Sequence, residues 1–159
     1  MDITWIEPNV LAVSQMPRDM ADVQSLREQG IRAIVSLTEY PLNTIRDFRQ
    51  ATFDKLGIAY LHAPVLDFQA PTIECAQAVI DFIAQMREAG RPVLLHCYAG
   101  VGRTGTLLHA YYLTQGLSLA EAQTRIEQIS PRNRYEVCSP SQQEFLEKLE
   151  RILNEEYYE

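Results

Sequence analysis

A single α/β domain built on a central, mostly parallel sheet of four or five strands flanked by helices is what this sequence predicts. Three observations carry the prediction. Short β-branched and apolar runs alternate along the chain with longer segments of helical period. Glycine or proline punctuates most of the transitions. No internal repeat, low-complexity run or composition break marks a linker, so residues 1–159 are read as one domain. The length of 159 residues lies within the usual range of roughly 100–200 for one domain. Strands joined through helices imply parallel pairing, because a parallel crossover needs a long connection.

Asn9 to Ser14 reads as the first strand. Asp19 to Gln29 reads as a helix that Gly30 stops, and Ile31 to Leu37 as a buried strand. Thr44 to Leu56 is helix-like and ends at Gly57, and Ile58 to His62 is the next strand. Ala63 to Ala70 carries Pro64 and is a loop. Thr72 to Ala89 places Ile73, Ala76, Val79, Ile80, Ile83 and Met86 at helical spacing, with Gly90 as the stop. Pro92 to His96 is an apolar strand, and after a glycine-rich turn Arg103 to Gln115 is helical. Ser118 and Glu121 form a capping box for a helix to Ile129, and Ser139 to Tyr157 is a final amphipathic helix.

Composition excludes several function classes. No run approaches the ~18 consecutive apolar residues of a membrane span, and the segment from Met1 to Val13 has neither a basic opening nor an apolar stretch. A cytoplasmic protein without a membrane partner is therefore expected. The net charge of −7 argues against a nucleic-acid partner, which calls for a basic stripe. The three cysteines, Cys75, Cys97 and Cys138, form no C-x-x-C pair, so neither a disulfide framework nor a metal site is expected. No cofactor is expected, and a monomer is.

One segment carries chemistry: Val93-Leu-Leu-His96-Cys97-Tyr98-Ala99-Gly100-Val101-Gly102-Arg103-Thr104-Gly105-Thr106. A buried strand runs into a tight loop and then a helix N-terminus. Successive amides of such a loop form an anion nest, and the helix start adds unpaired N–H groups and a positive dipole end. Tyr98, Ala99, Gly100, Val101 and Gly102 are thus the candidate phosphate-binding loop, with Gly100 and Gly102 supplying positive φ. Arg103 can clamp two oxygens with its planar fork. The same field favours a thiolate at Cys97, the candidate nucleophile for in-line attack on phosphorus. Thr104 can offer its hydroxyl to the Cys97 sulfur, and His96 is expected to order the loop through its ring nitrogens rather than carry protons. A phosphate monoester hydrolysed through a phosphocysteine is the chemistry this arrangement suits.

The leaving oxygen needs a proton. Asp67, in the loop after the Ile58–His62 strand, is the candidate general acid, and Leu66 and Phe68 are expected to desolvate it in part when the loop closes. Its alternative is a turn-starting or capping role, although Thr72 with Glu74 already serves the next helix. Glu39 and Asp54 are the fallback acids.

At these residues the chain resembles the protein tyrosine phosphatase superfamily, whose signature is H-C-x5-R-S/T, and within it the small atypical dual-specificity phosphatases. Val35-Ser36-Leu37-Thr38-Glu39, the Asp67-Phe68 loop leading to Ala70-Pro71, and His96 to Thr106 carry the resemblance. It implies Cys97 as nucleophile, Arg103 as phosphate ligand, Asp67 as general acid thirty positions earlier, and no metal. It also implies phosphoprotein or phosphopeptide substrates, on phosphotyrosine with phosphoserine and phosphothreonine as further targets. Of the two glutamines that larger tyrosine-specific members carry before the last helix, Cys138 occupies the first place and Gln142 matches the second; one of the pair positions the hydrolytic water. Members acting on phosphoinositides usually carry basic residues in the loop, where this chain has Tyr98, Ala99 and Val101. Relatives acting on RNA triphosphates need a more basic surface.

Other residues have blander readings. Cys138 is either a packed bystander or a redox partner for Cys97. Cys75, His62 and His109 read as structural, and Tyr157 and Tyr158 as the end of the last helix. Arg132 and Arg134 are either solvated loop charges or a site for a second phosphate or an acidic peptide. Two rivals remain open for the whole chain: a phosphate-binding module without catalysis, and a sulfurtransferase.

Overall fold

Five short strands form one sheet in the order β1-β2-β5-β3-β4, as seen in a computed structural model that describes residues 1–44 and 48–158. They are β1 (Thr4–Glu7), β2 (Leu11–Ser14), β3 (Ala33–Ser36), β4 (Ala59–His62) and β5 (Val93–His96). The four strands from β2 to β4 in the sheet order are parallel. The fifth strand, β1, was not read from the sequence. It pairs antiparallel with β2 through a tight hairpin in which Asn9 takes φ +61°, so the first strand starts at Leu11 rather than Asn9. Glu7, Pro8 and Asn9 interrupt the alternation that would have marked β1.

Register brings the carboxyl ends of four strands level, with Ser14 and Ser36 both opposite His96, and His62 opposite Ser36. The residues immediately beyond this edge are those of the candidate site, where open α/β sheets bind ligands.

Six α-helices cover the sheet among the described residues: α1 (Met20–Glu28), α2 (Gln50–Lys55), α3 (Ile73–Glu88), α4 (Gly102–Thr114), α5 (Leu119–Ile129) and α6 (Pro140–Tyr158). The period-two alternation of the strands divides the core. Val93 and Leu95 join Val79, Ile83, Leu107, Tyr111 and Ile126 on one face. Leu94 and Ile34 join Val23, Leu26, Phe53 and Ile58 on the other. Each fully buried Leu, Ile or Phe contributes on the order of 2 kcal/mol. Every residue of α4 from Arg103 to Leu113 is buried, between the sheet face on one side and α5 and α6 on the other. Among the described helices, the one behind the glycine-rich loop is therefore the most completely buried.

The caps follow the sequence closely. Asp19 and Thr72 each accept from the amide three residues on, and the Ser118–Glu121 capping box closes α5. One helix departs from expectation. Of the segment read as a helix over 44–56, Thr44 ends a 3-10 turn (Leu42–Thr44) and α2 begins only at Gln50, with 45–47 outside the described residues. Between α5 and α6 the chain makes two further 3-10 turns, Pro131–Asn133 and Tyr135–Val137.

Candidate active site

Cys97 follows β5 and is 2% exposed. Its position is set by the residue before it. His96, wholly buried, bonds through Nδ1 to the Cys97 carbonyl at 2.9 Å and through Nε2 to Ser36 Oγ at 2.6 Å. A carbonyl can only accept, so Nδ1 carries the hydrogen and the neutral ring takes the Ser36 hydroxyl hydrogen at Nε2. Burial holds the imidazole down to about 4, opposed by the bond to the Cys97 carbonyl and reinforced by the charges of Arg103 and His62. His96 thus spans β5 and β3 as one fixed tautomer, the ordering role expected of it.

The loop from Tyr98 to Gly102 turns its carbonyls outward. Met16 N donates to Tyr98 O at 3.1 Å, Arg132 Nη2 to Ala99 O at 2.9 Å, and Asn133 Nδ2 to Gly100 O and Val101 O at 2.7 and 3.0 Å. Thr106 Oγ1 donates to Gly102 O at 2.8 Å. With the carbonyls engaged outside, the amides from Tyr98 to Arg103 donate to no acceptor among the described residues. Amides left free in this way at a helix N-terminus can serve as an anion nest. Asn133 is itself completely buried and braced by the Ser130 hydroxyl at 2.7 Å.

The two glycines of the loop differ in their reasons. Gly100 has φ +74°, and a Cβ there would lie 2.5 Å from the Ser14 carbonyl. Gly102 does not take the positive φ expected of it. It is the first residue of α4, and a Cβ would come within 3.2 Å of Gln142 Oε1. Helical geometry sets its backbone, and close approach of α6 sets its size.

Arg103 is 3% exposed, in the first turn of α4. Its Nη1 donates to Glu39 and to the Val65 carbonyl, the latter at 2.9 Å, and its Nη2 lies 3.7 Å from Asp67 Oδ1. Its buried Nε has no hydrogen-bond partner among the described residues. Glu39, a fallback acid from the sequence, instead anchors the guanidinium. Thr104 Oγ1 donates to Cys97 Sγ at 3.2 Å, as expected.

Asp67 stands in the wall of a cavity of about 170 Å³ shared with Cys97, Arg103, Gly102, Val137 and Gln142. A second cavity of about 250 Å³, lined by Met16, Glu39 and Tyr40, shares Asp67, Tyr98 and Arg103 with it. Asp67 and its neighbours are solvent-exposed in this arrangement of the loop. Leu66 and Phe68 are 65% and 72% exposed and Asp67 itself is 57% exposed. The carboxylate accepts from Phe68 N at 3.0 Å, and Phe68 sits at φ +63°, an uncommon conformation for a bulky residue. Its carbonyl is tied to α6, while its ring stands in solvent.

Gln142 is 1% exposed, and both ends of its amide are in use. Oε1 accepts from Ser139 N at 2.9 Å and Nε2 donates to the Gln69 carbonyl at 3.1 Å. Cys138 is buried with its sulfur 3.8 Å from Thr106 Oγ1, and burial pushes its thiol up to about 11. All three cysteines are free. His62 bonds to the Thr38 carbonyl and His109 to the Gly105 carbonyl, both structural. Arg132 serves the loop, and Arg134 bonds to the Pro131 carbonyl. Asp54 accepts a hydrogen bond from Gln50 on α2.

Sequence reasoning named Cys97, Arg103, Thr104, His96, Gln142 and Asp67, and the fold brings them to one place. It missed Asn133 and Ser36, and it missed the anchoring role of Glu39. Ser36 and Glu39 lie in the recognisable Val35–Glu39 run, but a partner sixty positions away leaves no local signal. Among the described residues no cluster of three or more His, Cys, Asp or Glu side chains could hold a metal ion, and no helix is long and apolar enough to cross a membrane.

Comparison with known proteins agrees with this geometry. Residues 13–117 match the family described as "Polymorphic toxin system, DSP-PTPase phosphatase". Dual specificity protein phosphatase 12 of Rattus norvegicus is 32% identical over 67% of this chain and 30% of its own length. Phosphatidylglycerophosphate phosphatase PTPMT2 of Arabidopsis thaliana is 26% identical over 82% of this chain and 56% of its own. The chain therefore spans between about a third and somewhat over half of these two relatives. Among solved structures, Tk-PTP in its active form superposes with a TM-score of 0.77 at 29% identity, covering 94% of this chain and 96% of its own.

Proposed function

The chain belongs to the DSP-PTPase phosphatases of the protein tyrosine phosphatase superfamily, and from that premise we propose that it hydrolyses phosphate monoesters on proteins, phosphotyrosine above all and phosphoserine and phosphothreonine with it, through a phosphocysteine intermediate. The observation that carries the reading is the convergence of Cys97, a nest of free amides, the half-engaged Arg103 and Asp67 on one small cavity. The three free cysteines suit the reducing, cytoplasmic setting expected from the sequence.

In the first step the Cys97 thiolate attacks phosphorus in line and the S–P bond forms. The P–O bond to the leaving group breaks, and Asp67, as the carboxylic acid, gives its proton to the departing oxygen. Arg103 Nε and Nη2 and the amides of Tyr98 to Arg103 hold the equatorial oxygens, whose charge rises towards the transition state. Glu39 and the Val65 carbonyl leave that edge of the fork free by occupying Nη1. In the second step water attacks phosphorus and Asp67 takes its proton. The S–P bond then breaks, with the Thr104 hydroxyl stabilising the departing thiolate. Gln142, with both amide ends already bonded, acts here on the loop more than on the water.

Two observations favour protein substrates. The residues at the loop's variable positions, Tyr98, Ala99 and Val101, carry no charge for a polyphosphorylated headgroup. Tyr40 and Tyr98 stand 75% and 67% exposed beside the cavity, a rim suited to an aromatic phosphate ester. A lipid phosphate is the second reading, favoured by the solvent-exposed Phe68 in the cavity lining and by the resemblance to PTPMT2.

The test is hydrolysis of p-nitrophenyl phosphate from pH 4 to 8 with chelator present, followed by phosphotyrosine peptides against vesicles carrying phosphatidylglycerophosphate. Turnover that Cys97→Ser abolishes, with peptides preferred, is the expected result. Activity surviving in Cys97→Ser sinks the mechanism. Vesicles preferred over peptides moves the substrate to lipid, and thiosulfate consumption without phosphatase activity makes the chain a sulfurtransferase.

A further inference from the structure

The segment carrying Asp67 is fastened to the first turn of α6 at two consecutive carbonyls. Ser139 Oγ and Ser141 Oγ donate to the Phe68 carbonyl at 2.7 and 3.0 Å, and Gln142 Nε2 donates to the Gln69 carbonyl. Packing contributes little to this attachment, since Leu66 and Phe68 are both largely in solvent. Phe68 is instead pinned at both of its peptide groups. Phe68 N is held by the Asp67 carboxylate at 3.0 Å, and Phe68 O is held by the two serine hydroxyls. Gln69 N closes the turn by donating to the Leu66 carbonyl at 2.9 Å, which places Phe68 at φ +63°, and the bonds at its two peptide groups brace that conformation from outside the turn.

The consequence falls on the carboxylate. Rotating Phe68 out of this conformation would remove the N–H that orients Asp67 Oδ1, which faces Arg103 Nη2 across the cavity wall at 3.7 Å. We propose that Ser139 and Ser141 are positioning residues for proton transfer: by holding the Phe68 carbonyl they keep Asp67 aimed at the leaving-group oxygen. The inference rests on the reading of Asp67 as the general acid. Neither serine touches the phosphoryl group. Their contribution is the fraction of time for which the acid is in place, and that matters only when the leaving oxygen needs a proton.

The readout is the dependence of kcat/KM on leaving-group acidity, using phenyl, p-nitrophenyl and dinitrophenyl phosphates. With a positioned acid, the rate depends little on the leaving group. The Ser139→Ala, Ser141→Ala double variant is expected to lose about tenfold on phenyl phosphate and less than about twofold on dinitrophenyl phosphate, a fraction of the full general-acid contribution. Restoring the hydroxyls as threonine should bring the flat dependence back. Asp67→Asn supplies the reference and should show the steepest dependence.

A flat dependence in Asp67→Asn overturns the acid reading and the clamp with it. A steep dependence in Asp67→Asn beside a flat one in the serine double variant overturns the clamp alone, as does an equal loss on all three esters. Ser139 Oγ also accepts from Gln142 N at the start of α6, so its loss can weaken the helix. Ser141→Ala leaves that bond intact, and the same series on the single variant decides the matter if the double variant does not fold.

Discussion

Arg103 illustrates how much of a site is the holding of one side chain. A guanidinium buried to 3% exposure is costly unless paired. Glu39 and the Val65 carbonyl compensate at Nη1, and that pairing fixes the plane of the fork. Lysine has one compact ammonium. It cannot meet Glu39, Val65 O and two phosphoryl oxygens together. Arg103→Lys is therefore expected to lower kcat/KM for p-nitrophenyl phosphate by about 10²-fold or more, the scale of a lost oxyanion donor. It should also weaken inhibition by inorganic phosphate. A loss of less than about threefold would mean that the loop amides alone carry the phosphoryl charge.

At the scale of the element, the strand–loop–helix unit is held by what surrounds its carbonyls. Asn133, from the 3-10 turn after α5, supplies both donors to Gly100 O and Val101 O. Asn133→Ala leaves the Gly100 carbonyl and the Ser130 hydroxyl without their partner, while the Val101 carbonyl keeps only the Gly105 amide at 2.8 Å. A buried group so stranded costs about 1–3 kcal/mol, or a Tm lower by roughly 2–4 °C per kcal/mol in a domain of this size. Because the loop itself loosens, KM and the inhibition constant for phosphate should rise as well. A lower Tm with unchanged phosphate affinity would show that Asn133 supports the fold but not the nest. The flanking walls leave little room for adjustment. Gly100 lies against the Ser14 carbonyl, and Ser14 is locked opposite His96 in the sheet.

For the molecule as a whole, the carboxyl edge of the sheet couples the site to global stability through His96. Its folded value of about 4 lies below the ordinary value of 6.5. Above pH 6.5 the ring is neutral folded and unfolded, and the contribution to stability is complete. As the pH falls from 6.5 towards 4 the unfolded chain takes up a proton that the folded chain refuses, so stability is lost across that window. The size of the loss is about 3 kcal/mol for a shift of this order. Urea unfolding at about pH 7, 6 and 5 should show this decline, and His96→Asn, although less stable at neutral pH, should show a shallower one. Equal slopes for the two proteins would place the acid sensitivity elsewhere.

Local signals were enough for the parts of this protein whose causes are local. The mostly parallel α/β class, the caps at Thr72 and Ser118, and the cysteine–loop–arginine unit all follow from spacing within a short stretch of chain. There, period, capping chemistry and backbone amides act between near neighbours. The place of Asp67 beside Cys97 and Arg103 was also legible, because a loop after a strand at the carboxyl edge can reach the residues that follow β5. Tertiary structure decided the rest. Glu39 meets Arg103 and Ser36 meets His96 only because β3 lies beside β5. Asn133 reaches the loop only because two 3-10 turns fold back under it. Ser139 and Ser141 reach Phe68 only because α6 begins beside the Asp67 loop. Gly102 has no positive φ, and the tight neighbour that a Cβ would meet there, Gln142 Oε1 at 3.2 Å, comes from α6. In each of these cases the partner is set by strand order and helix packing, and those depend on the summed burial of the whole chain rather than on any short stretch of it.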